Sequence, residues 1–374
     1  MLVFQLAPSI NSSNPLVTIL TQVLVWVPWI ILIFWGQRIQ VSISLGQVSR
    51  SLARLKMLRD KSKQVLMGYV AAKAPGDAAT AARLEEFLEY FTIPPVGLDP
   101  VGVVKRFDHI LTTQDKRIRR EVGEAFQKSD RIERSIIENM VGVAAALNQI
   151  FKVIRHYYIL GKKGNNIYLL AQLQMIMPML IKQADALVNA MTTLELGQPL
   201  GDGIGPIAVG LLMKDKEKKE MGEETVMAES EYKGRKLVLV KALGPEGSVG
   251  EIDDALEKVV KKTYKDVSSI IMIDAALKLE GEKTGDVSEG VGAAIGGYGI
   301  EKFKIEQLAY DKKIPIYAIV VRESIIEAIG AMRKEIAESI KQVHETLFRV
   351  IEESSPEGAR VVVVGVGNTL GVGQ

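Results

Sequence analysis

The sequence predicts an α/β fold in its C-terminal half, with a mostly parallel sheet covered by helices on both faces, preceded by an all-α region and one transmembrane helix. Three observations lead to this prediction. The first 37 residues carry no charge, residues 37–196 repeat apolar residues at helical spacing, and the remainder alternates apolar runs of strand length with helical patterns. Four segments are therefore expected: a short extracytoplasmic N-terminus at 1–14, a transmembrane helix at 15–36, a helical domain at 37–196 and an α/β domain at 197–374.

The uncharged segment is predicted to anchor the chain in a membrane. Pro15 to Trp35 is a mostly apolar stretch of 21 residues, which is long enough to cross the hydrocarbon core. Because it lacks a basic start and a small-residue cleavage site, it is expected to be retained rather than removed as a signal peptide. Basic residues follow it from Arg38 onward, so the positive-inside rule predicts a single-pass protein of the cell membrane, with its N-terminus outside and residues 38–374 cytoplasmic. Those basic residues either contact anionic head groups or form a solvated helix face.

The helical domain is expected to begin with an amphipathic helix from Gln37 to about Ala72 and to end with two long helices, at Asp130–Leu160 and Asn166–Leu196. Their apolar stripes are suited to packing between subunits. A homo-oligomer is therefore expected.

Composition excludes several kinds of site. The chain has no cysteine, which rules out disulfides, thiolate zinc sites and a cysteine nucleophile. Its three histidines lie far apart in helical patterns rather than at metal-ligand spacing, so neither a metal nor a cofactor is expected. The net charge of +2 is close to balanced, and nucleic acid is not expected as a partner.

The α/β domain is predicted from four continuous apolar runs, which are typical of buried parallel strands. The predicted strands are Lys236–Ala242, Ser268–Asp274, Ile314–Val321 and Arg360–Val366. The helical patterns between them are Glu251–Lys262, Glu301–Asp311 and Ser324–Glu352. The charged stretch Asp215–Glu224 is expected to be a surface insertion.

Ligands of such sheets bind at the carboxyl ends of the strands, and four glycine-rich loops are expected there. Glycine lets backbone N–H groups converge on a ligand or an extended peptide. The candidate ligand-binding residues are Gly201, Gly203, Gly205, Gly244, Gly247, Gly250, Gly365, Gly367 and Asn368. A dinucleotide site is disfavoured, because no helix follows the Gly365–Gly371 loop to supply an N-terminal dipole.

Two carboxylates stand out as candidate catalytic residues. Asp274 ends an apolar strand, where a charge is costly, and Asp202 lies between glycines before an apolar helix. Each has a simpler reading: Asp202 as a helix cap and Asp274 as a strand-end residue that binds loop amides. If both line one cleft, their environments can separate them into an acid and a base.

Taken together, the loops resemble two related peptidase families. Gly365–Asn368 (GVGN), Asp202–Pro206 (DGIGP), Gly244–Gly250, Ile273–Ala275 (IDA) and Ile314–Ile319 are similar, segment by segment, to motifs of the hydrogenase-maturation endopeptidases and the germination proteases of spore-forming bacteria. The order is that of the families, except that their first strand is the last strand here. A circular permutation covering Gly197–Gln374 would explain this order. The whole chain also resembles an uncharacterised archaeal membrane-anchored family known as a domain of unknown function.

The peptidase resemblance implies a phosphorylase/hydrolase-like fold in which Asp202 and Asp274 activate water on a peptide bond of a peptide or protein substrate. The maturation endopeptidases bind a metal through two acids and a histidine, and no histidine of this chain lies at a matching loop. The permutation also predicts a contact between Asn368 and the Gly201–Gly205 loop. The alternative is a non-catalytic, membrane-tethered oligomeric scaffold whose glycine loops bind a peptide or small ligand.

Overall fold

The computed structural model of the chain describes residues 15–73, 78–89, 100–297 and 299–373. The expected extracytoplasmic segment 1–14 lies outside the described residues. The chain forms two compact units. One contains the described part of Met1–Met57 together with Ile150–Ile181, and the other contains Leu58–Gln149 with Lys182–Gln374.

Among the described residues, five helices form the helical region before residue 197. They are α1 (Pro15–Lys73), α2 (Ala78–Phe87), α3 (Pro100–Ala125), α4 (Arg131–Lys163) and α5 (Ile167–Glu195). The two long helices predicted from the sequence are confirmed as α4 and α5. The predicted transmembrane helix and the amphipathic helix after it form one continuous helix, α1, because no residue between them breaks the helical hydrogen-bond ladder.

Among the described helices, only α4 is both long and apolar enough to cross a bilayer. Of its most apolar 18-residue window, 44% is buried in the protein. Its side chains Ile137 and Met140 belong to a core cluster with Leu66 and Met191, which is how a core helix of a folded domain behaves. The stretch Ile19–Ile30 of α1 is apolar but shorter.

A seven-stranded mixed sheet forms the second half of the fold, in the order β1-β2-β3-β7-β4-β6-β5. Its strands are β1 (Lys218–Gly222), β2 (Thr225–Tyr232), β3 (Arg235–Ala242), β4 (Val267–Leu277), β5 (Val287–Val291), β6 (Ile316–Glu323) and β7 (Arg360–Gly365). The four central strands are mutually parallel, and they are the four predicted from apolar runs. Antiparallel strands extend both edges: β1 and β2 on one side, β5 on the other.

The prediction for Asp215–Glu224 was wrong in one respect. Rather than forming only a surface insertion, this segment supplies edge strand β1, which pairs with β2. Its charges do not prevent pairing, because an edge strand exposes much of its surface to water and charged side chains there discourage further pairing.

Helices cover both faces of the sheet. Because neighbouring residues of a strand point to opposite sides, each buried strand contributes side chains to both faces. On one face, Val361 and Val363 pack against α6 (Ile204–Met213) and α11 (Ile340–Ser354). On the other, Val362 and Val364 pack against α7 (Ile252–Lys258) and α8 (Ile300–Lys312). All four of these valines are fully buried, so the last strand of the sequence lies at the centre of the core.

The single helix predicted for Ser324–Glu352 is instead three: α9 (Ile325–Ile329), α10 (Lys334–Glu338) and α11. The break follows from Gly330, whose backbone is extended and whose carbonyl accepts a hydrogen bond from the N–H of Gly201 at 3.1 Å. Ala331 forms a bridge with Leu200. This segment therefore holds the loop that carries Asp202.

Candidate active site

Three loops and two strand ends meet at the carboxyl edge of the parallel strands. The N–H of Val366 donates to the carbonyl of Ile273 at 2.8 Å, which joins the loop after β7 to the end of β4. The hydroxyl of Thr369 donates to the carbonyl of Leu243 at 2.7 Å and accepts from the N–H of Ser248 at 3.1 Å. The loop after β3 is thereby tied to the same place, as expected for carboxyl ends of parallel strands.

Asp202 lies in a short 3₁₀ turn, Gly201–Gly203, that leads into α6. Its Oδ2 accepts a hydrogen bond from the backbone N–H of Asn368 at 3.1 Å. The contact that the permutation predicts between Asn368 and the Gly201–Gly205 loop is therefore confirmed. Burial raises the pKa of Asp202, and the Asn368 N–H opposes this rise in part. The side chain remains partly exposed.

Asp274 lies in β4 and is 6% exposed. Its Oδ1 accepts a hydrogen bond from the N–H of Ala275 at 2.8 Å. Burial raises the pKa of Asp274 well above its ordinary value, and the charge of Asp202 raises it further. The structure thus brings the two predicted aspartates within electrostatic reach of each other, although they are distant in the sequence.

A third carboxyl group, which the sequence analysis did not select, belongs to the same site. Glu323 ends β6, the strand next to β4, and is 1% exposed. Neither of its carboxyl oxygens has a hydrogen-bond partner among the described residues. Burial, followed by the charges of Asp202 and Glu327, raises the pKa of Glu323 to about 8. A carboxyl at the end of an apolar strand was the signal that identified Asp274, and it applies equally to Glu323.

Glu327 lies four residues further along the chain, in α9 and in very different surroundings. Its Oε1 accepts hydrogen bonds from Arg333 at 2.6 Å and from Thr284 at 2.9 Å, and Lys278 lies 3.3 Å from Oε2. Glu327 and Ser324 also form a capping box at the start of α9. Burial acts to raise the pKa of Glu327, but the hydrogen bonds outweigh it and lower the pKa to about 2. Glu327 is therefore ionised at neutral pH.

Close backbone packing explains most of the predicted glycines. A Cβ on Gly205 would overlap the carbonyl oxygens of Ile273 and Val366, and a Cβ on Gly367, whose φ is 129°, would overlap the carbonyl oxygen of Asp202. A Cβ would also lie less than 3.0 Å from neighbouring backbone at five further candidate glycines: Gly201, Gly203, Gly244, Gly250 and Gly365. These residues let the loops approach one another, which fixes where Asp202 and Asp274 lie.

A cavity of about 830 Å³ lies beside this site and is lined by three candidate ligand-binding residues, Gly247, Gly250 and Asn368. The side-chain amide of Asn368 donates to the carbonyl of Gly247 at 3.0 Å. Asn368 thus contacts Asp202 through its backbone and faces the cavity, whereas neither Asp202 nor Asp274 lines the cavity.

Acidic residues dominate the cavity wall. Burial raises the pKa of Glu138 to about 7 and, together with a hydrogen bond to Glu223, raises that of Glu251 to about 7. Lys304 on α8 forms ion pairs with Asp108 at 3.0 Å and Asp253 at 2.8 Å. Nine acidic and three basic side chains line the cavity, so its charged groups are mainly acidic.

Within the described part of the chain, no group of three or more His, Asp or Glu side chains has an arrangement that could hold a metal ion. His344 lies on α11, and its Nε2 is 2.8 Å from the carbonyl oxygen of Ala208. Burial raises the pKa of Asp202, Asp274 and Glu323, and the repulsion between these carboxyls disfavours ionisation of all three at once.

Fold and site together define an α/β protein with a group of buried carboxyls at the ends of its parallel strands. The chain belongs to the family described as a protein of unknown function (DUF1512). The N-terminal domain of that family matches residues 22–197, and its C-terminal domain, a domain of unknown function, matches residues 200–373. No curated protein and no solved structure matches the chain. The predicted membership of an uncharacterised family is confirmed, and the likeness to peptidases stays a prediction.

Proposed function

We propose that the chain is a membrane-anchored cytoplasmic protein whose α/β domain hydrolyses peptide bonds, with Asp202 and Asp274 as its acid–base pair. The observation that carries the proposal is the electrostatic coupling of these two buried carboxyl groups at the carboxyl edge of the sheet. Perturbed carboxyl pairs of this kind are common at catalytic sites.

The two aspartates are suited to different roles. Asp202 accepts the Asn368 N–H and is partly exposed, so it is the better site for a negative charge and for contact with water. Asp274 is more deeply buried and next to that charge, which raises its pKa, so it is the better site for the proton that the reaction needs. In the proposed reaction, Asp202 removes a proton from water as the water oxygen attacks the peptide carbonyl. Asp274 donates its proton to the leaving amide nitrogen as the C–N bond breaks.

The neighbouring cavity supports a peptide as the substrate. Its volume is within the range of ligand-binding clefts, and Asn368 connects its wall to Asp202.

Exposed apolar side chains of α1 support the membrane anchor. Leu20, Leu24, Trp26 and Trp29 are between 53% and 71% exposed, which is unfavourable in water and favourable in a hydrocarbon environment. We expect the chain in the membrane fraction of cells and a variant without residues 1–36 in the soluble fraction. Equal partitioning of both would contradict the anchor.

A second candidate, a ligand-binding scaffold without catalysis, is favoured by one observation. The cavity is lined by Asn368 and two of the glycines but by neither aspartate. A protein that binds a peptide there needs no acid–base pair, and Asp202 then acts only to hold the loop after β7.

Peptide cleavage by the full-length chain distinguishes the two candidates. The chain, purified in detergent, is incubated with a peptide library, and Asp202→Asn, Asp274→Asn and the surface control Asp311→Asn are compared with wild type. We expect turnover to fall by about 10²-fold or more in the first two variants, the scale of lost general acid–base catalysis, with wild-type turnover in the control. Melting temperatures should stay at or above that of wild type, because each change removes a buried ionisable group.

Turnover within about twofold of wild type in either aspartate variant would remove that residue from the mechanism. Binding of library peptides without cleavage by any form of the protein would favour the scaffold.

A further inference from the structure

Glu323 is the buried ionisable group that the proposed reaction leaves unused. Its side chain is 1% exposed, and both carboxyl oxygens lack a partner among the described residues. A buried carboxylate without a hydrogen bond or a cation is strongly unfavourable. Its place at the end of β6, beside the strand of Asp274, puts it within the acid group rather than in a remote part of the core.

We propose that Glu323 is a third functional carboxyl group of this site, a positioning residue that must be neutral for the Gly201–Gly203 turn to hold Asp202 in place. Its test by peptide turnover rests on the proposed peptidase function. Its test by melting temperature depends on Glu323 alone.

The acidic groups around Glu323 oppose its ionisation. Asp202 approaches from the 3₁₀ turn, Asp274 from β4 and Glu327 from α9, and each is acidic. The nearby cations Lys278 and Arg333 bind Glu327. The pKa of Glu323, which is raised to about 8, agrees with this arrangement.

Gly201, the residue before Asp202, connects Asp202 to Glu323. A Cβ on Gly201 would lie 2.8 Å from Oε2 of Glu323, so no water fits between this carboxyl and the turn. Ionised Glu323 needs hydration, and to gain it the turn must move away. Movement of the turn displaces Asp202 from the N–H of Asn368.

The pH dependence follows from the sign of the pKa change. Because the pKa of Glu323 is higher in the folded than in the unfolded state, its neutral form stabilises the fold. This contribution to the free energy of unfolding is fully present below the ordinary pKa near 4.5 and is lost as pH rises through about 8. The melting temperature should therefore fall as pH rises from about 4.5 to about 8, where only the unfolded state ionises Glu323, and peptide turnover should fall between pH 7 and pH 9 as folded Glu323 ionises.

Two variants imitate the neutral side chain: Glu323→Gln and Glu323→Met. The methionine is apolar and of similar length, so it serves if the glutamine amide is poorly accommodated. Glu338→Gln, an exposed residue of α10, is the matched control. Melting temperature and peptide turnover of the full-length chain are measured from pH 6 to pH 9.5.

We expect both Glu323 variants to keep turnover within about threefold of wild type at pH 7. In both, turnover and melting temperature should decrease less with rising pH than they do in wild type. The control should follow wild type at every pH. If turnover and melting temperature decreased with rising pH in both variants as much as in wild type, the proposal would be overturned. If wild type cleaves no peptide, the proposed function fails, and the difference in melting temperature between wild type and the variants still decides whether Glu323 carries the proton.

Discussion

Glu323 and Glu327 are the same residue type, four residues apart in the sequence, in opposite surroundings. Glu323 is buried among acids without a partner, and its pKa is raised to about 8. Glu327 accepts hydrogen bonds from Ser324, Thr284 and Arg333, and its pKa is lowered to about 2. The comparison shows that donors and cations, rather than burial alone, decide which carboxyl carries charge. Glu323 thus favours its neutral form, and Glu327, close by, is ionised and holds the start of α9 through its hydrogen bonds.

The largest expected effect comes from displacing Asp202, the acidic neighbour of Glu323. Gly367→Ala places a Cβ against the carbonyl oxygen of Asp202 at a φ of 129°. Backbone strain and overpacking each cost on the order of 1–3 kcal/mol, so we expect a loss of about 2–4 kcal/mol in the free energy of unfolding, measured with denaturant. Because Asp202 is displaced, turnover should fall and the pKa of Glu323 should move down toward that of an ordinary glutamate.

Gly290→Ala is the control for this change, since a Cβ there has no heavy atom within 4 Å and the position needs no left-handed backbone. Its stability should be within about 1 kcal/mol of wild type. If the two alanine variants were equally stable, close packing of Gly367 on the Asp202 turn would be refuted.

How far the sequence predicts the fold depends on how each strand is buried. The four central strands are buried on both faces, and this burial produces the continuous apolar runs from which they were predicted. Strands β1, β2 and β5 were not predicted, because edge and near-edge strands expose alternate residues, as the second half of β2 does. The break in the helix at Gly330 depends on a bond to Gly201 that is distant in sequence, and no local pattern reports it.

The site was predicted only in part, because local patterns mark some of its residues and not others. Asp274 ends a clear apolar run, although β4 continues to Leu277, and Asp202 precedes a clear helix, so both could be placed at one sheet edge. Glu323 was overlooked because it falls between a predicted strand ending at Val321 and a predicted helix starting at Ser324. Its significance comes from the absence of partners around a buried carboxyl, which is a property of the folded structure alone.

The smallest perturbation is a titration that leaves the chain unchanged and reads both glutamates at once. Side-chain carboxyl carbons of glutamate are labelled with ¹³C, and the signals of Glu323 and Glu327 are assigned by their loss in Glu323→Gln and Glu327→Gln. We predict that the Glu323 signal changes near pH 8 and that the Glu327 signal stays in its ionised position down to about pH 3. Titration of Glu323 near its ordinary pKa of about 4.3 would contradict the central claim that this site holds its protons at neutral pH.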